Sequence, residues 1–234
     1  VIAQLVAGMK STSRKSIMGS DFGFVDLVAL VRRQRGKCSL AHAHSNLLGL
    51  NQEDDFTQLS VDRIDPSIRR YTLDNVRLVM RGFQSCPRKG ESEDDTVQWS
   101  PAKINACRMN HQDAQSSPQK LAASRGFALS LLRSCKDRAN KRKALDKKRK
   151  VERRRGECTL TFAWFVSRWE KQRGRCYYSH MPMVLQHARG WRCSVERLNN
   201  DLGYTPDNCV LVCSEFNTRA QWSREKFLKY VIGV

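Results

Sequence analysis

Residues Trp191 to Trp222 read WRCSVERLNNDLGYTPDNCVLVCSEFNTRAQW, and the order of residue types in this stretch sets the expected fold. Arg192 to Leu198 alternates apolar and polar side chains, as a half-buried strand does. Asn199 to Asp207 gathers Asn, Asp, Gly and Pro, the turn formers; Gly203 takes a positive φ at no steric cost and Pro206 fixes the exit. The run Cys209–Cys213, CVLVC, is β-prone. Ser214 then stands where it would cap a helix with Phe216, Phe227 and Val231 on its apolar side. The expectation is strand, loop, strand, helix, which gathers Glu196, Arg197, Asn208 and Asn217 in one place.

The pattern occurs twice. From Ser60 to Ser85 the chain repeats Ser-Val, an acid, Arg, an aliphatic residue, then Tyr-Thr, Asp-Asn, Leu-Val and Phe, in the order found from Ser194 to Thr218. The approach to each copy also repeats. An amphipathic helix (Phe24, Leu27, Val28, Val31 against Phe162, Phe165, Val166, Trp169) ends in Gln-Arg-Gly-Lys/Arg-Cys, at Gln34 to Cys38 and Gln172 to Cys176. A duplicated unit of this size predicts an α+β chain of two tandem repeats, each made of helices followed by a small ββα motif. The expected divisions are residues 1–104 for the first repeat, 105–119 for a linker containing His111, and 120–234 for the second. Because Gln98-Trp99-Ser100 matches Gln221-Trp222-Ser223, the first copy carries an acidic insertion near residues 86–97. The opening stretch, 1–16, has an apolar helical stripe at Val1, Leu5 and Met9.

Forty-two Lys and Arg against twenty-three Asp and Glu give a net charge of +19, which points to a polyanionic partner, nucleic acid first and an anionic membrane surface second. No apolar run approaches the ~18 residues a spanning helix needs, and no secretory leader opens the chain, so a membrane is not the expected partner. The sequence begins Val1-Ile2-Ala3 without Met, as a piece of a longer product would. The cations are densest in the helical segment 133–155, with Lys141, Arg142, Lys143, Lys147, Lys148, Arg149, Lys150, Arg153, Arg154 and Arg155 as candidate phosphate contacts. A solvated helix face and a nuclear localisation signal are the other readings of that density.

Nine cysteines without tight pairing favour free thiols in a reducing, intracellular compartment. Cys176, Cys193, Cys209 and Cys213 form one set that would hold a structural Zn²⁺. The plainer reading puts Cys209 and Cys213 on one face of a buried strand.

These residues together resemble the HNH nuclease motif of the His-Me finger, or ββα-metal, superfamily, over about thirty residues per copy. The resemblance implies a metal-dependent endonuclease that hydrolyses phosphodiester bonds, with DNA as the partner and one Mg²⁺ or Mn²⁺ ion as cofactor. It makes Glu196 and Asn217 the metal residues and gives Asn208 the closing of the loop; the first-copy counterparts are Asp62, Arg63, Asn75 and Gln84. Where the family places its general-base His, this chain has Arg63 and Arg197. Arginine keeps its proton at any working pH, so Arg197 is expected to clamp a phosphate instead. His180, in YSHMP, is the candidate base of the second copy, and His42 and His44 hold a similar place in the first. The first copy replaces the loop glycine by Arg70, breaks its helix start with Gly82 and puts Gln84 in place of the helix Asn, so it is expected to be structural or DNA-positioning. Two alternatives to an endonuclease stand beside it: a catalytically inactive HNH-like nucleic-acid-binding protein, and a zinc-stabilised interaction module. At residue level, the acid-Arg pairs would make buried ion pairs and the asparagines would simply close turns. No feature of the sequence sets an oligomeric state.

Overall fold

The computed structural model describes residues 22–41, 56–65, 67–68, 70–84, 98–112, 125–151, 156–186, 190–218 and 221–234. The chain is α+β: the described residues hold five helices and two separate two-stranded antiparallel sheets. In chain order these are α1 (Phe24–Arg33), β1 (Leu59–Arg63), β2 (Val76–Met80), α2 (Pro101–Gln112), α3 (Arg125–Lys148), α4 (Phe162–Lys171), β3 (Cys193–Arg197), β4 (Cys209–Cys213) and α5 (Arg224–Phe227). The expected helix at 1–16, the acidic stretch 86–97, His42, His44 and Arg153 to Arg155 lie outside the described residues. Two compact units are formed, one from described residues up to 84, 98–108 and 218–234, the other from those between 109 and 217. Residues 105–112, expected to begin the linker, are the later turns of α2.

In the first unit, Gly23 N–H donates to the Asp26 carboxylate at 2.8 Å, fixing the start of α1. The helix stops where Arg35 and Gly36 turn left-handed, at φ 52° and 65°. Strands β1 and β2 pair with Asp62 opposite Arg77 and Val61 opposite Leu78. Their core is aromatic. Phe83 stands 5.6 Å from Trp99 and 5.2 Å from Trp222, and Phe56 meets Trp222 at 4.7 Å in an edge-to-face contact. The Trp222 indole N–H donates to the Gly82 carbonyl at 3.1 Å. Gly82 has no room for a β-carbon, which would overlap the Phe56 ring. The segment after β4 therefore completes this core, with Phe227 and Val231 fully buried.

In the second unit, the Thr161 hydroxyl accepts from Trp164 N–H and starts α4, which ends at left-handed Arg173 and Gly174. Strands β3 and β4 pair with Glu196 opposite Val210 and Val195 opposite Leu211. The expected helix directly after β4 is absent. Ser214–Phe216 makes only a single 3₁₀ turn, and α5 begins nine residues beyond Glu215, capped by the Ser223 hydroxyl, which accepts from Lys226 N–H at 3.1 Å. Helix α3 buries Phe127, Ala128, Cys135, Ala139 and Asp146 along one stripe and turns its cations outward except for half-buried Arg142.

Candidate functional site

Each hairpin loop is closed by one buried asparagine. Asn208 Oδ1 accepts from Asn199 N–H at 2.9 Å, and its Nδ2 donates to the Asn199 and Gly203 carbonyls, both at 2.9 Å. Asn75 Oδ1 accepts from Asp65 N–H at 2.8 Å, and its Nδ2 reaches the carbonyls of Asp65, Ile68 and Arg70. A buried amide that spends both ends on loop backbone fixes the loop's path, since leaving any of those groups unpaired costs ~1–3 kcal/mol. The glutamine of each Gln-Arg-Gly stretch does something sequence reading missed. Gln172 pairs both ways with the backbone of Leu211, at 2.7 and 2.9 Å, and Gln34 pairs both ways with that of Leu78, at 3.0 and 2.7 Å. Each acts as one extra rung on the outer edge of a two-stranded sheet.

The two arginines placed where a general base was expected differ from the reading that made Arg197 a phosphate clamp. Arg197 is buried and donates to the carbonyls of Asn200 and Leu202 and to Asn200 Oδ1, at 2.9, 2.8 and 2.6 Å, with its guanidinium 5.1 Å from the Tyr204 ring centre. These bonds hold the loop from inside. Arg63 lies over Tyr71 at 5.7 Å in the same manner. His180 is exposed in a left-handed turn at φ 57°; its carbonyl accepts from Arg175 at 2.8 Å, and that turn fixes its backbone. Asn217 is not helical: it follows the 3₁₀ turn, and its Nδ2 donates to Ser194 Oγ at 2.8 Å and Val195 O at 2.9 Å. Gln84 reaches the Val61 carbonyl at 3.4 Å.

The acids differ most. Asp62 is locked: Arg77 Nε and Nη2 donate to its Oδ2 at 3.1 and 2.9 Å, and Gln98 reaches the same oxygen at 3.5 Å. Burial raises the Asp62 carboxyl above its ordinary value, against the pull of Arg77. Glu196 faces Val210 where Asp62 faces Arg77, and among the described residues no ion pair is formed with it. Burial pushes its carboxyl up to about 8, although Arg197, Arg138 and Arg142 pull it back.

The cysteines do not assemble as one set. Cys176, Cys193 and Cys213 are fully buried together near the start of β3, whereas Cys209 shares its surroundings with Cys135 and Cys158. Burial would raise the Cys176 thiol, but hydrogen bonds with Cys213 and Ser179 leave it lowered to about 7. Among the described residues no group of three or more His, Cys, Asp or Glu side chains is arranged to hold a metal, and every described cysteine is a free thiol. The residues expected to hold Mg²⁺ or Mn²⁺ are Glu196, buried on β3, and Asn217, whose amide nitrogen bonds Ser194 and Val195 of the same strand. A buried acid without a cation opposite it suits such an ion, which keeps several waters and takes other oxygens from phosphate.

Of the candidate phosphate contacts, Lys141, Lys143, Lys147, Lys148, Arg149 and Lys150 are exposed on or just beyond α3, and Arg142 is half-buried. No described helix is long and apolar enough to cross a membrane. Compared with known proteins, no family model, curated protein or solved structure matches this chain.

Proposed function

We propose that the chain is a DNA-binding protein built from two HNH-type ββα modules, the first a scaffold and the second a phosphodiester hydrolase using one Mg²⁺ or Mn²⁺ ion. Duplication is supported by one bonding scheme occurring in both hairpins: the closing asparagine, the glutamine rung, the left-handed Arg-Gly stop, and an amide from Gln84 or Asn217 onto β1 or β3. The observation that carries hydrolysis is Glu196, a buried carboxyl with Val210 rather than a cation opposite it. Ionisable groups held at such a cost concentrate at functional sites.

Glu196 and Asn217 Oδ1 would hold the ion, which when bound supplies a water of lowered pKa and positive charge for the phosphate oxygens. Asn208 and Arg197 fix the loop beside Glu196, so that its end of β3 keeps one geometry. The Lys-rich face of α3 draws in and holds the DNA backbone by releasing counterions. The test is plasmid cleavage with Mg²⁺ or Mn²⁺. The native chain is expected to nick; Glu196→Gln is expected to stop it, and Asp62→Asn to leave it unchanged. Nicking by Glu196→Gln at the native rate would sink the assignment.

A second reading, a nucleic-acid-binding protein without catalysis, is favoured by Arg197, which holds its proton and is engaged by loop carbonyls where the family's base would stand. DNA binding that weakens steeply with salt, with no cleavage in any divalent metal, establishes it.

A further inference from the structure

In the second unit two guanidinium groups from different elements share one tyrosine. Arg197, from the end of β3, lies 5.1 Å from the Tyr204 ring centre, and Arg142, from α3, lies 5.7 Å from it. Tyr204 is buried and its backbone is fixed on both sides. Tyr204 bridges to Cys158; its N–H donates to the Glu157 carbonyl at 2.8 Å, and its own carbonyl accepts from Thr159 N–H at 3.0 Å. Arg197 is used up on the loop. Arg142 is not: its Nη1 is covered by protein and has no hydrogen-bond partner. Lys141 and Lys143 on either side extend into solvent, so the fold turns Arg142 inward at the expense of its hydration.

Arg138 stands one turn before Arg142 on the same face of α3 and is exposed. No ion pair with an acid is formed by either among the described residues. Both act electrostatically on Glu196, which is itself buried. In the first unit Arg63 lies over Tyr71, and among the described residues no second cation joins it.

We infer that Arg142 and Arg138, backed by the Tyr204 ring, form a phosphate-binding site on the second unit, and that the backbone phosphate of a nucleic acid is its occupant. A planar guanidinium braced on an aromatic face presents its remaining edge as a fork to an oxyanion, and a second arginine one turn away closes the other side. An oxyanion also supplies a countercharge to two arginines that form no ion pair among the described residues. The inference rests on the nucleic-acid reading above, but it does not need hydrolysis.

The test measures binding in EDTA, so that cleavage and divalent ions play no part. The full chain is titrated with inorganic phosphate by thermal shift, and with a labelled DNA oligonucleotide by anisotropy. The variants are Arg142→Gln, Arg142→Lys and, as an equal charge change on an exposed residue of the same unit away from α3, Lys171→Gln. Arg142→Gln is expected to abolish the phosphate-induced shift and to weaken oligonucleotide binding about tenfold or more, as loss of a charge-assisted bond does. Lys171→Gln is expected to change binding no more than about twofold, as loss of a single exposed cation does. Arg142→Lys keeps the charge and loses the fork, so it separates recognition from folding: it is expected to keep native circular dichroism and still lose the phosphate shift. Equal effects of Arg142→Gln and Lys171→Gln, or a phosphate shift retained in Arg142→Lys, would overturn the site. Phosphate binding lost in Arg142→Gln while the native chain never nicks DNA leaves this site standing and removes the nuclease. Native nicking with Arg142→Gln binding unchanged does the reverse.

Discussion

The two hairpins place an acid at the same rung of the ladder and treat it in opposite ways. Asp62 is paired across the strands with Arg77 and capped by Gln98; Glu196 looks across at Val210. In the first hairpin the charge is consumed by structure. In the second the carboxyl is buried with no ion pair among the described residues; burial keeps its proton on, and a group so expensive to ionise is useful for a site. The closing asparagine and the glutamine rung recur in both hairpins, so the sharpest difference at the acid is the residue opposite it, Arg77 or Val210.

The largest expected effect comes from making the first hairpin resemble the second. Arg77→Val leaves Asp62 buried and unpaired and should cost on the order of 3–5 kcal/mol in the first unit, read by urea denaturation. A loss below ~1 kcal/mol would mean that the ion pair does not decide the contrast.

Glu196 gives the next effect, in the second unit and with a definite sign. The folded carboxyl holds its proton up to about 8, whereas its ordinary value is 4.5. Its protonation therefore favours folding fully below about 4.5, and that contribution is lost as the pH rises through 8. Glu196→Gln should flatten the fall in stability across this window in metal-free buffer, by ~4 kcal/mol at its upper end. A pH profile unchanged by the substitution would show that Glu196 already has a counter-ion.

The smallest is a test of likeness. Asn75→Ala and Asn208→Ala should each cost ~2 kcal/mol, because each strips a loop of three or more hydrogen bonds of the same kind. Unequal losses in thermal denaturation would break the parallel between the loops.

Much of the fold was legible. The alternation around Glu196 and the apolar run Cys209–Cys213 marked the strands, and the Arg-Gly pairs marked the helix stops, whereas the cap expected at Ser214 falls instead to Ser223. The asparagines were visible as turn residues because their partners lie within about ten positions of them. What sequence did not show was set by register and distance. Arg77 is one apparently solvent-facing cation in VRLVM until pairing puts it opposite Asp62. The glutamine rungs join residues 39 and 44 positions apart and leave no periodic trace. Arg197 read as a phosphate clamp because its loop carbonyls carry no signal in sequence, and Phe216 and Phe227 read as one helix because a short 3₁₀ turn and a break keep the same apolar spacing.

Trp222 lies 140 residues after the Gly82 carbonyl it bonds, with the whole second unit in between. At ~5–20 residues per second of synthesis, that interval leaves the first hairpin waiting for at least several seconds after it leaves the ribosome. The part of the chain made first is thus finished last, and until then Phe56 and Phe83 lack the ring that covers them. A ribosome that stalls before Trp222 would release a chain whose later half is folded and whose earlier half offers an open aromatic face to chaperones.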